Sequence, residues 1–93
     1  MKLFLIHTGY YNKTLDDGFY EQHSNIFVAA KDVYSAREKV KKRKIYIDNK
    51  MHIDGIQEIK NIDGYDIKLS KDKSNQKNKI YNHYQVRFLK KSL

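Results

Sequence analysis

Two short segments that are apolar on both faces constrain the fold of this chain most strongly. Residues 2–8 place leucines on one face of an extended strand and Phe4 and Ile6 on the other, and residues 25–30 have the same character. A strand that is apolar on both sides is typical of the interior of a sheet covered on each side. We therefore expect these segments to form the centre of a sheet.

The length of the chain allows one small domain. It has 93 residues and contains no cysteine, proline or tryptophan, so a disulfide framework and thiolate chemistry are excluded. The apolar start, residues 1–6, ends at His7 and lacks the pattern of a signal peptide, and no segment approaches the roughly 20 apolar residues of a membrane span. We expect a cytoplasmic protein with no membrane contact.

A single long helix is expected after the second strand. Asp32 is placed to cap its N-terminus, and Val33, Ala36 and Val40 form a narrow apolar stripe, so the helix is predicted from Asp32 to about Lys42. The predicted fold class is α+β, with an antiparallel-rich sheet of four or five strands and one helix packed on one face. Its element order is β-β-α-β-β, plus a C-terminal strand.

The Asp63-Gly64 pair indicates a hairpin. A two-residue loop would place Lys60 and Glu58 opposite the apolar side chains that follow the turn, which is unfavourable if that face is buried. We therefore expect a three-residue loop, residues 62–64, with Ile59 opposite Ile67.

The remaining segments read as connections and a tail. The connection at residues 9–22 is long and aromatic, and is either functional or a twisted extension of the hairpin. Residues 45–47 are expected to be a linker, and residues 70–79 are wholly polar. The alternation of residues 80–89 predicts a final edge strand, or a strand exchanged in a dimer. We thus assign residues 1–70 to the α+β domain and 71–93 to a basic linker and strand belonging to it or exchanged.

Two short motifs combine imidazole with carboxylate. In Glu21-Gln22-His23 and in His52-Ile53-Asp54 the two polar side chains share one face of an extended segment. Pairing Leu3 with Phe27 would place His7 opposite His23, which gathers three histidines and two carboxylates at one sheet end.

Such a cluster has three interpretations. It suits zinc, manganese or iron, it could hold a carboxylate-oriented general base, or its members could simply make structural hydrogen bonds. The last is the simplest reading, because no spacing matches a known metal or nucleophile motif. No metal or other cofactor is predicted. The candidate catalytic residues are His23, His52, Glu21 and Asp54, and the candidate metal ligands are His7, His23 and His52.

Basic residues fall in two blocks. The net charge is +8, and residues 31–50 and 71–93 carry eight and seven basic groups, against two in each of the other parts. Cations at the end of the predicted helix also suit its dipole, so the first block has a structural reason to exist. A basic face with interleaved tyrosines is compatible with nucleic acid. The candidate contacts are Lys39, Lys41, Lys42, Arg43, Lys44 and Arg87.

The order of the motifs resembles that of the bacterial domain-of-unknown-function 1543 family. The resemblance covers most of residues 1–70 and is carried by Glu21-x-His23-x-Asn25, one helix, His52-x-Asp54 and Asp63-Gly64-Tyr65. It implies a small bacterial α/β domain, found in one or two copies per chain. It implies no activity, substrate or cofactor.

These observations lead to two function hypotheses and one expected partner. The first is a non-catalytic binding module whose basic face takes nucleic acid or an acidic protein. The alternative is a small enzyme or metal-binding protein that uses the histidines and carboxylates. The narrow helix stripe can cover only one sheet face, so a homodimer is expected to cover the other, with a folded-back tail as the competing solution.

Overall fold

A three-stranded antiparallel sheet forms the body of the protein. The computed structural model describes residues 1–91. The strands are β1 (Lys2–Tyr11), β2 (Glu21–Ala30) and β3 (His52–Ile59), and their spatial order is β2-β1-β3. β1 is central, as its apolar character on both faces predicts, but β2, which was also expected at the centre, is an edge strand of this sheet.

Three helices and a small separate hairpin accompany this sheet in the part of the chain that the structure describes. The helices are α1 (Val33–Lys41), α2 (Lys44–Asp48) and α3 (His83–Arg87), and the hairpin pairs β4 (Asn61–Ile62) with β5 (Tyr65–Asp66). The predicted α+β class is confirmed, but within residues 1–91 the strands form a sheet of three and a sheet of two instead of one sheet of four or five. The last two residues of the predicted segment 71–93 lie outside the described residues.

The core lies between α1 and one face of the sheet. Its strand residues alternate along β1 and β2, and Ala36 and Val40 of α1 are wholly buried against them. The Asp32 side chain caps the helix by accepting a 2.7 Å hydrogen bond from the Ser35 backbone amide, which lowers the pKa of that carboxyl group. The helix prediction is thus confirmed, except that Val33 is 56% exposed and takes no part in the core.

The other sheet face, called the open face below, carries the odd-numbered residues of β1 and the residues paired with them. Leu3 and Leu5 are only half-buried, and Phe27 of β2, which pairs with Leu5, is 58% exposed. The tail does not bury its own residues either, since residues 70–91 are all exposed. Within residues 1–91 a single chain therefore leaves the open face uncovered. The expectation that both faces are covered is not met.

The predicted register between the first two strands was wrong by two residues. Leu3 pairs with Ala29 instead of Phe27, and His7 pairs with Asn25 instead of His23. The strands run on to Tyr11 and Glu21, so the connection is shorter than expected and turns through one 3-10 segment at Asp16–Gly18. Because the slip is an even number of residues, every side chain stays on its predicted face.

The predicted hairpin loop was also wrong. Ile62 pairs with Tyr65, so the loop has two residues, and Asp63 and Gly64 both adopt positive φ (54° and 82°) as a type I′ turn requires. Our objection to this pairing assumed a buried face. Ile62 and Tyr65 are 50% and 75% exposed, so charged neighbours in the hairpin cost little.

Two further segments form helices where other structures were predicted. The expected linker at residues 45–47 lies in α2, where Lys44 and Asp48 form an ion pair one turn apart and Tyr46 packs against the core. The expected C-terminal strand contains α3, which begins with a capping box: Asn82 and Gln85 each accept a hydrogen bond from the other's backbone amide. None of the helices in residues 1–91 is long and apolar enough to cross a membrane.

Candidate functional site

Five polar side chains meet at one end of the open face. They come from all three strands of the main sheet, and we call them the histidine–carboxylate cluster: His7, Glu21, His23, His52 and Asp54. All five belong to the candidates expected from the sequence. The sequence hypothesis that these groups gather at one sheet end is met by the geometry, although the register that led to it was wrong.

The strand register explains why the side chains converge. Gly9 of β1 pairs with His23 on one side and with His52 on the other, so these residues share the open face. Between His7 and Thr8 the pairing with β3 shifts, and the residue left over on β3 is Asp54. Asp54 lies on the open face by alternation from His52, and the β-bulge allows Ile53 and Ile56, three residues apart, both to keep contact with the core.

The strongest contacts of the cluster converge on one imidazole nitrogen. Nε2 of His52 lies 2.8 Å from Oε1 of Glu21 and 3.0 Å from Oδ1 of Asp54. The other carboxylate oxygen of Asp54, Oδ2, lies 3.3 Å from Nδ1 of His23. Asp54 therefore contacts two histidines through two different oxygens.

His7 is held from two sides. Its Nδ1 lies 2.9 Å from the side-chain oxygen of Asn25, its partner across β1 and β2. An amide oxygen only accepts, so Nδ1 donates and the lone pair of Nε2 is left for another partner. The His7 ring also stacks on that of His23, with centroids 4.9 Å apart and planes within 9° of parallel.

Gly9 forms the floor of the cluster. A Cβ atom at this position would lie 2.0 Å from Oε1 of Glu21, 2.6 Å from Nε2 of His52 and 2.7 Å from Oδ2 of Asp54. The missing side chain is therefore the space in which these three polar groups meet. This role of Gly9 was not predicted, because residues 9–22 were expected to form a connection, whereas an isolated glycine within a strand signals a close approach.

The two carboxylates of the cluster differ in their partners from the other acidic residues that form ion pairs within residues 1–91. Elsewhere in residues 1–91, Glu38, Asp48 and Glu58 each lie within ion-pair distance of a lysine or arginine. Within the same range, Glu21 and Asp54 contact only imidazoles. Two acidic groups thus lie beside three histidines, and carboxylates brought together without a positive partner repel one another, an arrangement that attracts cations.

The geometry of the cluster suits a small cation. Two groups of three residues, Glu21 with His52 and Asp54, and His7 with His23 and Asp54, can each bring ligand atoms within 4.8 Å of one another. In a tetrahedral zinc site, bonds of about 2.0–2.1 Å place ligand atoms roughly 3.3 Å apart. The observed separations of 2.8–3.3 Å need only small side-chain adjustments. The side chains are also exposed, so water can complete the coordination.

The basic residues predicted to contact nucleic acid make their contacts away from the histidine–carboxylate cluster. Lys39 and Arg43 donate hydrogen bonds to the backbone carbonyls of Ala29 (2.6 Å) and Phe27 (3.2 Å), on the outer edge of β2. Cations on an edge strand oppose pairing with another chain, so both have a structural role that the sequence did not reveal. Lys41 and Lys44 pair with acidic residues of their own helices, and Arg87 lies over the Phe88 ring in the tail.

Comparison with known proteins agrees with the motif order. The family Domain of Unknown Function (DUF1543) matches residues 18–69, more than half of the chain, and the chain belongs to this family. The match includes Glu21, His23, His52 and Asp54, whereas His7 and Gly9 precede it. No curated protein and no solved structure matches the chain.

Proposed function

We propose that this domain binds a divalent transition-metal ion, with Glu21, His52 and Asp54 as its ligands. The observation that carries the proposal is the convergence of two carboxylate oxygens, within 3.0 Å, on one imidazole nitrogen. A histidine held for structural purposes, or as a general base, needs one carboxylate to orient it. A second carboxylate at the same nitrogen suits a metal ion, which would bind the nitrogen and both carboxylate oxygens in place of the proton that they share.

The ligand types indicate the class of metal. Imidazole favours zinc, iron, copper and nickel, and carboxylates add affinity for harder ions such as manganese. Three protein ligands with solvent at the remaining positions are typical of sites that keep a water molecule on the metal. When bound, such an ion makes that water acidic and so supplies hydroxide for hydrolysis. The surrounding residues orient the ligands, above all through the Gly9 floor and the bulge at Asp54.

Metal titration of untagged protein tests the proposal. We expect Zn²⁺ and Co²⁺ to bind the wild type, and His52→Ala to weaken the binding at this site at least tenfold. His83→Ala is the matched control, because His83 lies in the exposed helix α3 and outside the cluster. Binding should also weaken as the pH falls, since protons compete with the metal for imidazole. Wild-type protein that takes up no metal would refute the proposal.

A nucleic-acid-binding role for the basic residues is a separate proposal. It is supported by the exposure of all six candidates: Lys39, Lys41, Lys42, Arg43, Lys44 and Arg87. Phosphate contacts of this kind make the affinity fall steeply with salt. Mobility-shift titrations with single- and double-stranded DNA and RNA at two salt concentrations provide the test, and no binding at low salt would end it. A binding titration with an acidic protein at the same two salt concentrations tests the other predicted partner.

The homodimer also stays a prediction, now with a defined surface. Its support is the open face, where Leu3, Leu5 and Phe27 form an apolar area at the end away from the histidine–carboxylate cluster. Light scattering at micromolar concentration distinguishes the possibilities. A mass near twice 11.1 kDa supports the dimer, and a mass near 11.1 kDa rejects it.

A further inference from the structure

We infer that the histidine–carboxylate cluster is a two-metal centre in which Asp54 bridges the ions. The inference rests on the proposed metal-binding function and extends it. One ion is held by Glu21, His52 and one oxygen of Asp54. The second is held by His7, His23 and the other oxygen of Asp54.

The contacts of Asp54 are the first observation. Its Oδ1 lies 3.0 Å from Nε2 of His52, and its Oδ2 lies 3.3 Å from Nδ1 of His23. The two oxygens of one carboxylate therefore point to two different histidine groups. A carboxylate that bridges two metals binds one ion with each of its oxygens, and the ions of such two-metal sites lie about 3.5–4 Å apart.

The position of Asp54 in its strand is the second observation. In a regular strand, one residue of β3 would face each residue of β1. The bulge instead inserts Asp54 between the row of His7 and Gly55 and the row of Gly9 and His52. The carboxylate consequently lies between the two groups of ligands and is a member of both.

The arrangement around His7 is the third observation. Asn25 accepts a 2.9 Å hydrogen bond from Nδ1 of His7, which fixes the tautomer and leaves Nε2 able to bind a metal. A partner that holds the distal nitrogen is a regular feature of metal-binding histidines. If only the ion at Glu21 and His52 were bound, His7 would not need a partner that orients its ring. A second ion explains why a third histidine is oriented at this edge of the cluster.

Two ions side by side also define the chemistry open to the centre. A water molecule shared by two metals is a strong nucleophile, and the pair can stabilise the attacking and the leaving oxygen of a displacement. Such a centre suits hydrolysis of an ester or phosphate ester presented at the exposed sheet face.

Stoichiometry measured on single-residue variants tests the inference. Untagged protein is titrated with Zn²⁺ against a chromophoric chelator, and folding of each variant is confirmed by circular dichroism. We expect two ions per wild-type chain and two for the control His83→Ala. His23→Ala and His52→Ala should each retain one ion, and the double variant none. Asp54→Asn should weaken both sites at least tenfold, because it removes a ligand from each.

A second measurement detects the bridge itself. Two Mn²⁺ ions joined by one carboxylate should give a spin-coupled paramagnetic resonance spectrum, whereas His23→Ala should give that of an isolated ion. One ion per wild-type chain would overturn the two-metal centre and leave the proposed function standing. Two ions that give uncoupled spectra would also overturn it. No bound ion at all would overturn the proposed function as well.

Discussion

Replacing Gly9 by alanine should damage the proposed metal site while leaving the fold intact. The new Cβ atom would lie 2.0 Å from Oε1 of Glu21, 2.6 Å from Nε2 of His52 and 2.7 Å from Oδ2 of Asp54. Ordinary contact begins near 3.4 Å, so these atoms must move by roughly 1.4, 0.8 and 0.7 Å. Metal–ligand distances vary by only about 0.2 Å, so the displaced groups can no longer share one ion.

The expected effect is large on binding and small on stability. We expect the Kd for Zn²⁺ to rise by about 10- to 100-fold, the effect typical of disturbing the support of a metal ligand. The clashing atoms are the free ends of exposed side chains, which can swing outward. Gly9 is not among the residues with positive φ, so alanine also lowers the entropy of the unfolded chain. The free energy of unfolding should therefore change by less than about 1 kcal/mol.

Gly55→Ala provides the matched control. Gly55 pairs with His7 on the open face, but no heavy atom lies within 4 Å of the place of its Cβ. Isothermal titration with Zn²⁺ and urea unfolding should show wild-type metal affinity for this variant. Unchanged affinity in Gly9→Ala, or an equal loss in both variants, would refute the assignment of Gly9 as the floor of the site.

Three further predictions concern the fold. Phe4→Ala, in the buried core, should cost about 3–5 kcal/mol in urea unfolding, whereas Phe27→Ala, exposed on the other face, should cost far less; equal losses would contradict the one-sided core. The Asp32 carboxylate has a lowered pKa, so its stabilisation is present at neutral pH and is lost as the pH falls below about 4. Asp32→Asn should keep the cap and remove this pH dependence, as followed by the helical circular dichroism signal. Gly64→Ala, at a φ of 82°, should open the hairpin, seen as faster amide exchange at Ile62 and Tyr65.

The periodicity of the sequence by itself determined which side chains share a face. Residues two apart in a strand lie on one side, so Glu21 joined His23 and His52 joined Asp54 before any pairing was known. The cap at Asp32 was equally local, because its hydrogen bond reaches only three residues along the chain. The predicted common face of His7 and His23 survived the wrong register because the register slipped by an even number of residues.

Local signals failed where two structures satisfied the same pattern. The alternation of residues 80–89 suits a strand only if another strand supplies its hydrogen bonds, whereas a capped helix satisfies its own backbone. The Asn82–Gln85 capping box was a readable signal of that helix. In the hairpin, the choice of loop depended on whether its face is buried, and burial is decided by the rest of the fold.

Only the tertiary structure decided how the histidine–carboxylate cluster closes. The pairing of β1 with both neighbours places Gly9 beneath the carboxylates, and the bulge in β3 brings Asp54 between two groups of histidines. Neither feature has a local cause, because each depends on pairs that lie far apart in the chain, 43 residues for Gly9 and His52 and 48 for His7 and Gly55. The sequence alone determined which residues face the cluster, and the long-range register decided the distances between them.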